Sequence, residues 1–379
     1  MVRRNQVNTR PTSVSRRRFL KGMTSAAVVS STGRSVWAAR RHQRQQSAVA
    51  ALYQSLSARQ KQEVCFDWDH RVNIKHGRKP LTLRDPKGVL LRTHVSNAWL
   101  ITPQTIASEF YSDEQREMIV SVLESVLSPG WTKKILQQAT DDTGKPWGAS
   151  QSLAMFGSPE SGRCMCVVTG FHLTIRATMG TDSAAAFGGA ISHGHQPSGF
   201  YEKIGHPGNF FWHQAVLANK VYDGLDEEQR QRALVRTDMP YFQYDGKIDR
   251  SNVLPHDPWD RPREADIRFG GSNQKPPGMP ISQMASDQKV AVARLLHSLA
   301  EPYRERYQNQ VYDCLEKQGG LDKCSLAFYK QHDMGLDGQW DNWRLEGPSF
   351  VWYFRGAPHV HIWIHVANDP SARMTSYFG

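Results

Sequence analysis

A chain of 379 residues that is 39% hydrophobic, 10% aromatic and 22% charged has the composition of a folded protein and the length of one large domain or two ordinary ones. Its formal charge of +11 is concentrated at the start: the first 39 residues hold eight Arg or Lys and no Asp or Glu, and subtracting these eight leaves +3 for the remainder. That remainder gives no basis for nucleic-acid binding, and no apolar run reaches the ~18 residues of a membrane-spanning helix.

Residues 1–39 read as a targeting segment rather than as part of the fold. Ser15-Arg16-Arg17-Arg18-Phe19-Leu20-Lys21 fits the twin-arginine export pattern. A mild Ser-, Thr- and Ala-rich stretch follows from Gly22 to Ser31, and Val36-Trp37-Ala38 offers small residues for a signal peptidase. The expected partner is the twin-arginine export machinery, and the expected destination is the periplasm or cell exterior. Residues 40–379 then form the mature protein, expected as a single α+β domain.

Residues 41–64 carry an irregular helical stripe, with a second helix start at Ser57-Ala58-Arg59-Gln60. Ser112 with Gln115 makes a capping box for a helix ended by Pro129-Gly130. A further helix is predicted from Trp131 to about Ala139, with Asp141-Asp142-Thr143-Gly144-Lys145-Pro146 as a loop. The middle of the chain is β-rich: residues 153–157, then one long or two successive strands over 163–177. The stretch 180–208, dense in Gly, Ser, Ala and His, reads as a functional or mobile loop that carries His193, His195 and His206. Helices are expected from Phe210 to Leu225, from Leu225 onward, and from Ser286 to about Gln310. Residues 238–280 are polar and Pro/Gly-rich, hence a long loop or insertion. The phrases at Leu56, Tyr111 and Leu225, each a polar start followed by Gln, read as helix entries. Their unequal spacing does not establish a repeat. Helix blocks flanking antiparallel strands give the α+β class.

The C-terminal stretch Arg344 to His365 reads as two strands joined by a turn at Arg355-Gly356-Ala357-Pro358. Alternation puts His359, His361, Trp363 and His365 on one face and Val360, Ile362, Ile364 and Val366 on the other, core-like face. His359 and His361 are close enough to share one metal ion, because neutral imidazole is the commonest ligand; a solvated polar strand face is the competing reading.

The chain resembles an exported bacterial family known as domain-of-unknown-function family 3500. The likeness covers residues 48–368 and rests on Ser112-Asp113-Glu114-Gln115-Arg116, Phe156-Gly157-Ser158-Pro159, Gly170-Phe171-His172-Leu173-Thr174-Ile175, Glu346-Gly347-Pro348-Ser349-Phe350 and His359-Val360-His361. The family pattern has a His pair where this chain has Phe171-His172, an acidic residue near Tyr353, and a Trp-Arg-Asp phrase after its His-x-His. The resemblance implies export and a shared His set, and carries no reaction with it.

The chemistry these residues support best is a divalent-metal site for zinc, copper or iron, with His359 and His361 as ligands, His172 as the third, and His193 or His195 completing it. Glu346 and Asp369 are the candidate bases or orienting groups. The resulting expectation is a metal-dependent envelope enzyme, a hydrolase or an oxidoreductase. The alternative is a non-catalytic exported protein that binds metal or a cell-surface polymer through an aromatic platform drawn from Trp340, Trp343, Trp352 and Trp363. Of five Cys, Cys314 and Cys324 are the candidate disulfide; Cys164 and Cys166, two apart in a strand, bridge poorly and read as core or as soft ligands.

Overall fold

The computed structural model describes residues 48–73, 75–76, 79–80, 88–179, 184–195, 208, 210–235, 241–242, 264–329, 340–356 and 360–376. The leader assigned to residues 1–39, and His206 and His359, lie outside the described residues. Contacts gather Gln45–Gly379 into one compact unit. It is an α+β domain built on an 11-stranded mixed sheet.

The strands of that sheet are β1 (Cys65–Phe66), β2 (Gln151–Ser158), β3 (Arg163–Gly170), β4 (Leu173–Thr178), β5 (Ile191–His195), β6 (Leu234–Val235), β7 (Met279–Pro280), β8 (Ser325–Tyr329), β9 (Asn342–Gly347), β10 (Phe350–Arg355) and β11 (Val360–Val366). Their order is β1-β2-β3-β4-β5-β11-β10-β9-β8-β6, with β7 also on β8. Among the described residues, only the edge pairs β1–β2 and β6–β8 of this sheet are parallel. The helices are α1 (48–55), α2 (Ala58–Val64), α3 (Asp113–Val126), α4 (Trp131–Thr143), α5 (Trp212–Asp223), α6 (Glu227–Ala233), α7 (Ser286–Ala300) and α8 (Glu305–Lys317).

These elements fall into two halves of like order. Each half begins with a helix, then a seven-residue helix (α2, α6) that runs straight into a two-residue edge strand (β1, β6). A helix pair follows (α3–α4, α7–α8), and then a four-stranded antiparallel meander (β2–β5, β8–β11). The halves join where β5 pairs with β11. The links inside the two helix pairs also meet: Leu127 bridges Tyr303, Ser128 N–H donates to Pro302 O (2.8 Å) and Arg304 N–H to Val126 O (2.8 Å). Of the three Gln-bearing phrases, those at Leu56 and Leu225 occupy matching places, at the starts of α2 and α6, and the one at Tyr111 starts α3. Ser57, Ser112 and Asp226 each cap a helix with a capping box completed by Gln60, Gln115 and Gln229. Within the first half the side chains of Gln60 and Gln115 bond each other; in the second, Gln229 bonds Gln288.

One sheet face carries Leu153, Met155, Cys166, Ile175, Trp352, Ile362 and Ile364 into the main core, beneath the helices. The other face is covered by irregular chain, residues 88–107 over the first half and 265–269 over the second. A buried irregular segment must find partners for its own backbone, and the strands supply them from hydroxyls. Thr174 and Ser192 donate to Ser96 O (2.7 and 3.0 Å), Thr169 accepts from Ile101 N–H (2.9 Å), and Ser152 bonds Thr169 (3.1 Å). This explains fully buried Ser and Thr at the centre of the sheet, and it fixes Asn97 against it.

Several boundaries differ from those the sequence suggests. The terminal region is three strands, because Pro348-Ser349 makes a two-residue turn between β9 and β10. The helix expected over 286–310 is two, broken at Pro302, which lacks an N–H and cannot continue the ladder. His193-Gly194-His195 is not loop but the end of β5, paired on both sides. Asp141 and Asp142 are not loop either; α4 runs on to Thr143 and stops at Gly144, in the left-handed conformation. All five Cys are free thiols. Cys314 turns to the Asn368 side chain (3.3 Å), so the disulfide with Cys324 does not form. Cys164, Cys166 and Cys324 are buried in the main core, where burial pushes the thiols of Cys164 and Cys324 up to about 12 and that of Cys166 well above its ordinary value, as for inert core cysteines.

Candidate functional site

The seam between the halves brings together chemistry from both. β4 begins, β5 ends and β11 begins at the same end of the sheet. β3 and β4 are joined by a two-residue loop, Phe171-His172, with Gly170 opposite Leu173. His172 has φ 54. A positive φ at the second residue of such a turn is a place for Gly or Asn, and a larger side chain held there marks a site under constraint. The constraint is visible on both sides. His172 N–H donates to Asn97 O (2.6 Å), and His172 O accepts from Gly194 N–H (3.1 Å) and the Gln138 amide (3.3 Å).

The imidazole of His172 is fixed as firmly as its backbone. Its Nδ1 lies 2.7 Å from Asp142 Oδ2, with both side chains buried. The carboxylate accepts from Nδ1–H, which leaves the lone pair on Nε2. That Nε2 lies 3.1 Å from Nε2 of His361, the ring centroids being 4.8 Å apart. The Asn97 amide nitrogen is 3.1 and 3.4 Å from the two ring nitrogens of His361. It therefore lies across the ring rather than along one lone pair. Phe171 packs on His172, with centroids 4.0 Å apart. Gly194, directly opposite His361 in the strand register, lacks the side chain that would crowd the His361 ring, and so lets it lean toward His172.

A second carboxylate–imidazole pair stands alongside. Asp141 Oδ2 is 3.2 Å from His195 Nε2, and Phe210 stacks on that ring at 5.0 Å. Burial lowers the pKa of His195; Asp142 and Asp141 oppose that shift, and His172 adds to it. Both aspartates sit in the last turn of α4, which holds no basic residue. The negative end of a helix disfavours carboxylates by about 0.3–1 kcal/mol each. Their placement is accounted for by the imidazoles they hold.

Two imidazole nitrogens on one metal ion, each at about 2.05 Å, stand about 2.9 Å apart at a right angle and about 3.3 Å apart at the tetrahedral angle. The 3.1 Å between His172 and His361 fits a pair of adjacent ligands, and Asp142 on Nδ1 is the outer-shell partner that metal-ligating His has. The same spacing suits a proton shared between the rings. Among the described residues no group of three His, Cys, Asp or Glu side chains is arranged to hold a metal.

The other candidates are not brought to this pair. His193 faces the main core, where its Nε2 meets the Tyr303 hydroxyl (2.7 Å) under Phe211; burial pushes its pKa down to about 3. Glu346 lies four residues along β9 from the His361 row, about 13 Å at strand spacing, and pairs with Arg344 (3.1 Å). Asp369 is exposed beyond the far end of β11 and accepts from Ser371. His365 shares the face of His361, as alternation requires, but is capped by Ile267 O (3.0 Å) and Phe269. Trp343, Trp352 and Trp363 are fully buried and form no exposed platform. Sequence reasoning missed Asn97, Asp141 and Asp142. The signal for the aspartates was two acids at a helix C-terminus.

No curated protein and no solved structure matches the chain. The family model described as "Protein of unknown function (DUF3500)" matches residues 38–368, nearly the whole described domain, and with that extent of match the chain belongs to this family.

Proposed function

We propose that this protein is an exported, metal-dependent enzyme of the bacterial cell envelope, a hydrolase or oxidoreductase, with His172 and His361 as protein ligands. The observation that carries the reading is the facing of the two Nε2 atoms at 3.1 Å, with one ring fixed by a buried carboxylate. A zinc ion so held would supply an activated water, and copper or iron would supply redox chemistry. Asp142 fixes the tautomer of His172, Asn97 steadies His361, and burial of both rings keeps bulk water from competing for them. Twin-arginine export is supported by Ser15 to Lys21, and by a family match that begins at residue 38, after that motif.

Elemental analysis of the full-length protein tests the centre. About one zinc, copper or iron per chain is expected in the wild type, none in a His172→Ala/His361→Ala variant, and the full amount in His365→Gln. Asp142→Asn should weaken metal affinity about 10–100-fold. A folded wild type without metal, after growth with all three ions supplied, overturns the reading. Export is tested apart from this: Arg16→Lys/Arg17→Lys should retain the protein in the cytosolic fraction, and undiminished periplasmic protein would exclude the twin-arginine route.

A further inference from the structure

We propose that His195, held by Asp141, is the general base of the centre: its Nδ1 takes the proton from a water that attacks an ester. The inference rests on the reading of His172 and His361 as the functional centre, and it names the reaction there as ester hydrolysis. Glu346 and Asp369, the carboxylates expected in this role, lie away from the pair, and His195 stands where they do not.

His195 closes β5 beside both imidazoles. Gly194, one residue before it, donates its N–H to His172 O (3.1 Å) and lies opposite His361; His195 itself lies opposite Val360. Val360 belongs to the main core, so alternation sets the His195 ring on the helix side of the sheet and His361 on the other side. His172, in the turn at the end of the sheet, reaches both sides, with Nδ1 toward Asp142 of α4 and Nε2 toward His361.

The two nitrogens of His195 differ. Nε2–H donates to Asp141 Oδ2 (3.2 Å), and Asp141 Oδ1 accepts from the Gln137 amide (2.6 Å), so the carboxylate is held at both oxygens. Nδ1 then carries the lone pair. It is buried and has no hydrogen-bond partner among the described residues. Native proteins keep few such atoms, and those they keep call for a functional account. A carboxylate behind one nitrogen and a bare lone pair at the other is how an imidazole takes up a proton in catalysis, the carboxylate stabilising the imidazolium as it forms. Phe210 lies flat on the ring, 3° from parallel, which leaves the ring edge as the reactive side. Gln138, one turn before Asp141 on α4, adds a second acceptor. Its amide N–H donates to His172 O (3.3 Å), and its buried Oε1 has no partner among the described residues. Both unpartnered atoms are acceptors, so what they receive carries hydrogens, as water does.

The charged and titratable groups that face His195 are Asp141 and Asp142 from α4 and His172 from the turn; Phe210 and Val360 bring none. Burial lowers the pKa of His195 against the pull of the two aspartates, so the ring is neutral at pH 7 and ready to accept. The step balances without a further reactant. An O–H bond of water breaks, its proton goes to Nδ1, and the oxygen bonds the ester carbon or phosphorus. The bond to the leaving oxygen then breaks, and Nδ1 returns the proton to that oxygen.

The test uses the full-length protein, with metal content and Tm measured on every sample, and p-nitrophenyl acetate and bis(p-nitrophenyl) phosphate as probes. The wild type is expected to turn over one of them, and the ester it hydrolyses assigns acyl or phosphoryl transfer. His195→Gln should keep its metal and its Tm and lose about 100-fold or more in kcat. Asp141→Asn, which frees the ring to turn, should lower kcat and leave KM unchanged. His213→Gln removes an exposed imidazole elsewhere on the surface and should leave the rate as it is. If His195→Gln does not fold, Asp141→Asn decides. An undiminished kcat in His195→Gln overturns the proposal, as does a loss of rate no larger than its loss of metal. A wild type that holds metal but hydrolyses neither ester overturns it while leaving the metal centre standing. Hydrolysis that disappears with His195 in a protein without metal supports it and overturns the metal centre. A folded wild type with neither metal nor hydrolysis overturns both.

Discussion

Between pH 7 and pH 5 the folded protein is expected to lose about 4 kcal/mol of stability to two histidines that take no part in the candidate site. Burial pushes His193 down to about 3 and His365 down to about 4, from an ordinary value of 6.5. A lowered imidazole binds its proton in the unfolded chain first. Above pH 6.5 neither state is protonated and the two groups cost nothing. As the pH falls from 6.5 toward 4, the unfolded state takes up both protons while the folded state refuses them. Stability drops by about 1.4 kcal/mol per pH unit per group, and the loss levels off below the folded values. The surroundings fit this sign. His193 is faced by the Tyr303 hydroxyl, whose own proton burial holds tightly, and by Phe211. His365 is faced by Ile267 O, Phe269 and, among charges, Arg176, which repels its cation. With about 2.1 cal/mol/K of unfolding entropy per residue, the loss corresponds to a Tm about 6 °C lower at pH 5 than at pH 7. His193→Gln and His365→Gln should each remove about half of that slope. A Tm that does not fall over this range, or a slope that survives in the double variant, contradicts the assignment.

What could be read from the sequence and what could not divides along physical lines. The face alternation of β11 was legible because strand periodicity is two, and Ile362 and Trp363 go to opposite faces as that period demands. The helix starts at Ser57, Ser112 and Asp226 were legible because a capping box is a local chemical pattern. β5 was not. Ile191-Ser192-His193-Gly194-His195 lacks β-branched residues after its first position, and it is a strand because partners on both sides pair with it. The break at Pro302 was legible and was outweighed by a strong apolar stripe on either side of it. Of the site, His172 and His361 could be named from residue type, but their approach depends on the seam between two halves, which no local pattern encodes. Asp141 and Asp142 are the instructive miss. They contradict the local preference of a helix end, and such contradictions concentrate where function outweighs propensity.

Gly194→Ala should be the most damaging small substitution at the seam, costing about 3 kcal/mol and separating the two imidazoles. Gly194 is the point at which β5, β4 and β11 converge: its N–H holds His172 O, and it sits opposite His361. A Cβ at this position would overlap the Val360 carbonyl oxygen and lie 3.3 Å from His361 Cδ2. A backbone oxygen in a paired strand has no rotamer to escape into, so β11 must shift away from β5 at the end where His361 is held. Both consequences follow from one displacement, and both can be measured: a lower Tm, and a loss of metal greater than the loss of stability explains. Gly224→Ala is the matched control, since that helix-end residue has an ordinary negative φ and only 3.5 Å contacts around an added Cβ. If Gly194→Ala and Gly224→Ala melt together and hold equal metal, the seam does not set the His172–His361 distance, and the site must be rigid on the strength of Asp142 and Asn97 alone.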